Sequence, residues 1–169
     1  PLSYWQPSQA EKALNNFIDY KIDQYEINRN FMATNATSKL SPYIRFGIIS
    51  IRECYRKAIE KSKNISWINE LIWREFYAMI LYKFPHSENE NFQEKYRNRI
   101  VWQNNSTLIN KFTEAKTGYP IIDAAIRELI TTGWMHNRAR MIVASFFTKD
   151  LLSDWKIGEK FFAQHLMDY

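Results

Sequence analysis

The 169-residue sequence contains one cysteine, Cys54. No internal disulfide can form, and a reducing compartment is the simplest setting for such a chain. Glycine and proline are scarce, at 4 and 5 residues, which argues against a turn-rich all-β fold and against low complexity. No apolar run approaches the roughly 18 residues that a membrane-spanning helix needs. No signal peptide is visible. The three histidines, His86, His136 and His165, are scattered, and none has metal-ligand spacing with Cys54 or with another histidine. No metal site is expected. A P-loop and a glycine-rich dinucleotide fingerprint are missing as well.

What is present is apolar and aromatic. Apolar residues make up 46% of the chain, and 11 Phe, 10 Tyr and 6 Trp make up 16%. A chain of this length and composition can bury a real core. Lys and Arg outnumber Asp and Glu by 23 to 18, a net charge of +5. That excess permits an anionic partner without requiring one.

The hydrophobic spacing is helical almost throughout, so the expected class is all-α. Ser8 and Glu11 form a capping-box pattern that opens a helix over 8–22. Residues 23–41 are polar and broken, a long loop with one turn of helix at most. Ser41 followed by Pro42 predicts an N-cap and a proline at the first helical position, opening a helix to about residue 60. Trp67 to Phe84 is the next helix, with Ile68, Ile72, Phe76, Met79 and Ile80 on one stripe and Pro85 as its stop. Residues 85–105 read as a second long loop, and Ser106 to Ala115 as a short helix. After a turn at Gly118 and Pro120, a helix through Ile122, Ala125, Ile126, Leu129 and Ile130 closes at Gly133. Asn137 to Leu152, with Asn137 as its cap, and Glu159 to Met167 complete the set. There is no internal repeat and no visible domain boundary. Cys54 lies on an apolar helical face and reads as a buried structural thiol.

Three clusters carry possible chemistry. The two long loops flank the helix holding Trp67, Glu70, Trp73 and Arg74, and long loops in compact helical domains are often functional. Those four side chains could line a cavity wall, or form an amphipathic helix with core tryptophans and a solvated ion pair. In Trp134 to Met141, Arg138 and Arg140 near a helix start oppose the helix dipole unless an anion neutralises them. They could equally be exposed arginines. In Thr37-Ser38-Lys39-Leu40-Ser41-Pro42, hydroxyls and N–H groups before a helix suit phosphate, or simple capping.

Taken in order, these clusters resemble the DNA photolyase/cryptochrome family. The matching stretches are Thr37 to Pro42, Trp67 to Tyr77, Lys116 to Ala125, Thr132 to Met141 and Lys149 to Trp155. The resemblance runs from about Tyr25 to Asp168. It implies a multi-helical domain that binds FAD and repairs cyclobutane pyrimidine dimers in DNA by light-driven electron transfer. The cofactor would supply the redox chemistry and the protein its position and electrostatics. The dimer must leave the duplex stack, a step for which photolyases are themselves a standard instance.

Carried over by position, the resemblance makes Tyr25, Thr37, Ser38, Leu40 and Ser41 FAD contacts, with Lys39 a looser match. Trp67, Arg74, Asn137, Arg140 and Asp168 are further FAD neighbours. Glu70, Trp73, Asn137 and Met141 resemble lesion-cavity walls: Glu70 would hydrogen-bond the base edge as a catalytic residue, and Trp73 would stack on the bases. Arg29 and Arg138 look like DNA phosphate contacts. Trp102 and Trp155 resemble the outer and middle members of a tryptophan relay that photoreduces FAD, and core tryptophans are the plain alternative. The Glu70 and Trp73 pair favours a dimer photolyase over a cryptochrome-type blue-light sensor. A helical nucleic-acid-binding module without catalysis is the reading from another class.

The resemblance also implies that residues 1–169 are a partial FAD-binding domain. The family's N-terminal α/β antenna domain has no counterpart here, so the antenna chromophore is not specified. The chain starts Pro1-Leu2-Ser3 without Met and stops at Asp168-Tyr169, as a piece of a longer protein would, incomplete on its C-terminal side. The expectation is therefore weak or absent FAD binding by the isolated piece, and self-association through exposed apolar surface. The parent protein is expected to be a cytoplasmic, DNA-associated monomer.

Overall fold

A computed structural model describes residues 4–62 and 65–169. The opening Pro1-Leu2-Ser3 lies outside the described residues. Every regular element among those described is helical. Although the sequence shows no boundary, the chain divides into two compact units, Gln6–Ile100 and Val101–Tyr169, the latter joined by Trp5.

In the first unit, Pro7–Gln9 is a 3₁₀ turn and helix α1 runs Ala10–Tyr20. The expected capping box does not form. Ser8 lies inside the turn, and Gln9 occupies the cap position without a side-chain bond. Pro7 sets a tight turn there, closed by the Gln9 N–H donating to Gln6 O at 2.9 Å. Helix α2, Tyr25–Asn28, is the single helical turn expected in the following loop.

The expected helix from Ser41 to about 60 is two helices. Helix α3 is only Ser41–Arg45, with Leu40, not Ser41, at its cap. Gly47 then takes φ +68°, a left-handed conformation that glycine reaches without steric cost. Ser50 restarts the helix by accepting the Arg52 N–H at 3.2 Å, and α4 runs Ile51–Lys61. The apolar spacing of Ile44, Ile48 and Ile51 bridges a break that Gly47 makes.

Helix α5, Ser66–Lys83, matches the expected range, but its stripe does not. Trp67, Ile68 and Leu71 are buried, whereas Ile72, Phe76 and Met79 are exposed. Only its first turns face this unit's core, which is built from Leu14, Phe17, Ile22, Leu40, Cys54, Ala58 and Trp67. Phe17 packs on Trp67 with ring centroids 4.9 Å apart. Cys54 is fully buried as expected, and burial, followed by the Glu53 charge, pushes its thiol up to about 11. Beyond α5, short 3₁₀ turns at Pro85–Glu88 and Glu94–Tyr96 punctuate the long loop.

The second unit opens with α6, Ser106–Thr113, capped by Asn105, whose Oδ1 accepts from Thr107 and Leu108 N–H groups. Helix α7, Pro120–Thr132, starts on proline and ends at Gly133 with φ +74°, as the sequence predicts. Helix α8 is Asn137–Ser145, and its cap is His136 rather than Asn137. The imidazole Nδ1 accepts the Arg138 N–H at 3.1 Å, doing what a capping oxygen does and leaving Asn137 as the first helical residue. The chain then widens into a π-helical turn, Phe146–Asp150. Helix α9 is Trp155–His165, earlier than expected, because Asp154 caps it by accepting the Lys156 N–H at 3.1 Å. Gly158, inside this helix, hides it from a propensity reading. That glycine is used for space: a Cβ there would stand 3.0 Å from Phe147 Cδ1. Phe112, Ile126, Leu129, Met135, Val143 and Phe147 fill this unit's core.

Candidate functional site

On α5 of the first unit, the four singled-out side chains separate. Trp67 is 3% exposed and faces the core. Glu70, one turn on, accepts from Arg29 Nη1 at 2.5 Å. Arg29, at the C-terminal end of α2, was expected at a DNA phosphate and here pairs with Glu70. Its guanidinium carbon also sits 5.8 Å from the Tyr25 ring centroid. The Tyr25 hydroxyl is pushed up to about 12, first by burial and then by the Glu70 charge, with Arg29 opposing. Trp73 is 51% exposed and stacks on Tyr77, with centroids 5.8 Å apart and planes at 28°. Phe76 meets Trp73 edge-on at 5.4 Å. Arg74 pairs with Glu75 at 2.5 Å, not with Glu70. The result is an acidic group held by a cation beside an exposed aromatic platform.

In the hydroxyl loop before α3, Leu40 N–H donates to Ser38 Oγ at 3.4 Å and Lys39 adopts φ +52°. Thr37, Ser38 and Lys39 are half-buried, Leu40 is buried and Ser41 is exposed. Burial and the Lys39 charge lower the pKa of Lys21.

In the second unit, Gly133 to Met141 folds around Arg140. The Arg140 Nε donates to Met135 O at 2.8 Å, and Nη2 donates to Asp168 Oδ2 at 2.8 Å. The Asp168 side chain is 4% exposed. Its Oδ1 is buried and has no hydrogen-bond partner among the described residues. The segment carrying it is tied down where Met167 N–H donates to Gly133 O at 2.9 Å. Asn137, Arg138 and Met141 are exposed on the first turns of α8, and Asn137 Nδ2 approaches Met141 Sδ at 4.0 Å. The sequence marks Arg140 and Asp168 separately, but 28 residues of spacing conceal that they form one ion pair.

In a second arrangement, the sequence marks Thr117, Gly118 and Asp123 only as part of a matching stretch and turn, without the bonds that join them. Asp123 on α7 reaches back over the preceding turn, its Oδ1 accepting from Thr117 Oγ1 at 2.6 Å and Thr117 N–H at 2.8 Å. Oδ2 accepts from Gly118 N–H at 3.1 Å. These bonds, with the Arg127 charge, outweigh burial and hold the Asp123 carboxyl below its ordinary pKa.

Trp102 and Trp155, the expected relay members, are both half-buried. Lys156 Nζ lies 5.9 Å from the Trp155 ring centroid. Neighbouring residues tie the two tryptophan segments together. Gln103 N–H donates to Leu152 O at 2.8 Å, and Asp154 N–H donates to Asn104 Oδ1 at 2.8 Å. Among the described residues, no cluster of His, Cys, Asp and Glu could hold a metal. No described helix is long and apolar enough to cross a membrane.

Residues 67–169 match the family model of the FAD binding domain of DNA photolyase. A deoxyribodipyrimidine photo-lyase of Synechococcus is 46% identical over 92% of this chain. A bacterial class III photolyase from Agrobacterium tumefaciens superposes with a TM-score of 0.90 at 38% identity, over 96% of this chain and 35% of its own. A Synechocystis cryptochrome superposes with a TM-score of 0.85 at 31% identity, over 96% of this chain and 36% of its own. The chain thus spans about a third of the length of the relatives it matches. A match over the larger part of the sequence, carried on the same helical backbone, settles its kinship: the chain belongs to the family of FAD-binding domains of DNA photolyases.

Proposed function

We propose that this chain is the FAD-binding part of a deoxyribodipyrimidine photolyase, a lyase that uses light to split cyclobutane pyrimidine dimers in DNA. The observation that carries this reading is Glu70, held by Arg29 beside the exposed Trp73 on α5. A pyrimidine pair needs a polar group for its base edge and a flat surface for its rings. Glu70 hydrogen-bonds the base edge and Trp73 stacks on the rings. Asn137 and Met141 are further lesion contacts. Arg29 and Arg138 meet DNA phosphates, in Arg29's case while keeping its hold on Glu70.

Reduced FAD, when bound, supplies the electron that light releases to the dimer. The Oδ1 of Asp168 fits such a group, because it is a buried acceptor left without a donor. Arg140 orients that carboxylate. Tyr25, Thr37, Ser38, Lys39, Leu40 and Ser41 contact the cofactor's phosphates and sugar chain through hydroxyls, N–H groups and a cation. Trp67, Arg74 and Asn137 are additional FAD neighbours. Trp102 and Trp155 would serve as the chain's electron carriers toward a bound flavin. Within a cell the protein acts on DNA in the cytoplasm.

The test is repair of a thymine-dimer oligonucleotide under near-UV or blue light by the flavin-loaded protein that carries this chain. Light-dependent loss of the dimer is expected. Photoreduction of flavin without repair would favour the blue-light sensor, whose fold is shared with the Synechocystis cryptochrome. DNA binding without flavin binding would favour a non-catalytic module.

A further inference from the structure

Two residues other than glycine stand in left-handed backbone on facing segments of the second unit: Asn104 at φ +47° and Leu152 at φ +45°. Such conformations are costly and persist where surrounding bonds hold them. Here the bonds are visible. Gln103 N–H donates to Leu152 O at 2.8 Å, and Asn104 Oδ1 accepts the Asp154 N–H at 2.8 Å. Asp154 in turn caps α9, whose first residue is Trp155. Asn105, the next residue along, caps α6. The segment that follows Trp102 is therefore fastened to the start of α9 and to the start of α6.

We propose that Asn104 is a positioning residue for the relay, fixing the first turn of α9 and with it the placement of Trp155 relative to Trp102. The proposal rests on the reading of those two tryptophans as relay members. In that scheme Trp155 gives one electron inward and takes one from Trp102, which a thiol in solution re-reduces. Electron transfer depends steeply on separation and orientation, so a loosened α9 start lowers the yield without touching either ring. Asn104 itself is exposed and contacts neither lesion nor cofactor in the proposed scheme.

The decisive variant is Asn104→Gly, which keeps the left-handed backbone and deletes the acceptor. Asn104→Asp keeps an acceptor at the same position. Both are made in the flavin-loaded protein that carries this chain, beside Trp155→Phe as reference. For Asn104→Gly we expect severalfold lower flavin photoreduction by thiol, faster hydrogen exchange at the Asp154 amide, and changed tryptophan emission. Repair by chemically pre-reduced protein should not change, and Asn104→Asp should restore photoreduction. Normal photoreduction in Asn104→Gly, with loss in Trp155→Phe, overturns the positioning role alone. Equal loss in Asn104→Gly and Asn104→Asp overturns it too. Normal photoreduction in Trp155→Phe overturns the relay reading beneath it.

Discussion

Arg140 holds Asp168 by one carboxylate oxygen and leaves the other buried and unshared. The arrangement has two consequences that separate on mutation. Removing the carboxylate leaves a half-buried guanidinium with its bond to Met135 O alone, and losing one partner of a pair so placed costs at most about 3 kcal/mol. Converting it to the amide keeps the shape and one acceptor but weakens the bond from Arg140.

In the flavin-loaded protein that carries this chain, Asp168→Asn should therefore release FAD more readily while leaving the helices folded. Flavin absorbance retained through gel filtration measures the first effect and far-UV circular dichroism the second. Full flavin retention would remove Asp168 from the cofactor's neighbours.

In the complete protein that carries this chain, and on the proposed function, Glu70→Ala should lower repair yield with little loss of DNA affinity, whereas Trp73→Ala should mainly weaken binding to dimer-containing DNA. Stacking on an aromatic side chain is worth about 1–3 kcal/mol per base, roughly a tenfold loss at the lower half of that range. Repair assays and binding isotherms on damaged and undamaged oligonucleotides distinguish the two. The same isotherms at several salt concentrations should show a smaller slope for Arg138→Ala, as expected of a lost phosphate contact.

Asp123 predicts an acid limb in stability. Burial alone would raise its pKa, but the bonds from Thr117 and Gly118 and the Arg127 charge lower it below 3.8. A carboxyl depressed in the folded state stabilises fully above its unfolded pKa and loses that contribution as pH falls through the folded value. Asp123→Asn should flatten the dependence of the urea midpoint on pH below about 4. At neutral pH it should cost about 1–3 kcal/mol, since the turn's N–H donors lose a charged acceptor.

Gly158→Ala should destabilise by about 1–3 kcal/mol through overpacking. Its Cβ would meet Phe147, whose ring is itself wedged 4.6 Å from Phe112 and cannot yield cheaply. A lowered thermal midpoint, partly recovered by Phe147→Leu, is the expected outcome.

The all-helical class and the positions of α5 and α7 were legible because their apolar spacing and stop signals agree. Pro85 ends one and Gly133 the other. Helix starts were read less well, since capping is a matter of local geometry. Ser8 and Ser41 have the chemistry of caps but lie beside prolines that shift the helix entry. His136 caps through a ring nitrogen, which residue statistics undervalue. The stripe on α5 misled because its regular spacing continues beyond the residues that this unit buries. Of the candidate site, Glu70, Trp73, Arg140 and Asp168 were legible by family resemblance. The Arg29–Glu70 and Arg140–Asp168 pairs were not, because tertiary folding brings each together across 41 and 28 residues.

The buried state of Cys54 makes the chain a single-label scaffold. With no other thiol in the sequence and this one enclosed and held protonated at neutral pH, a cysteine introduced at an exposed position such as Tyr82 would be the sole reactive handle. A spectroscopic probe could then be attached near α5 without first deleting the native residue and leaving a void in the core.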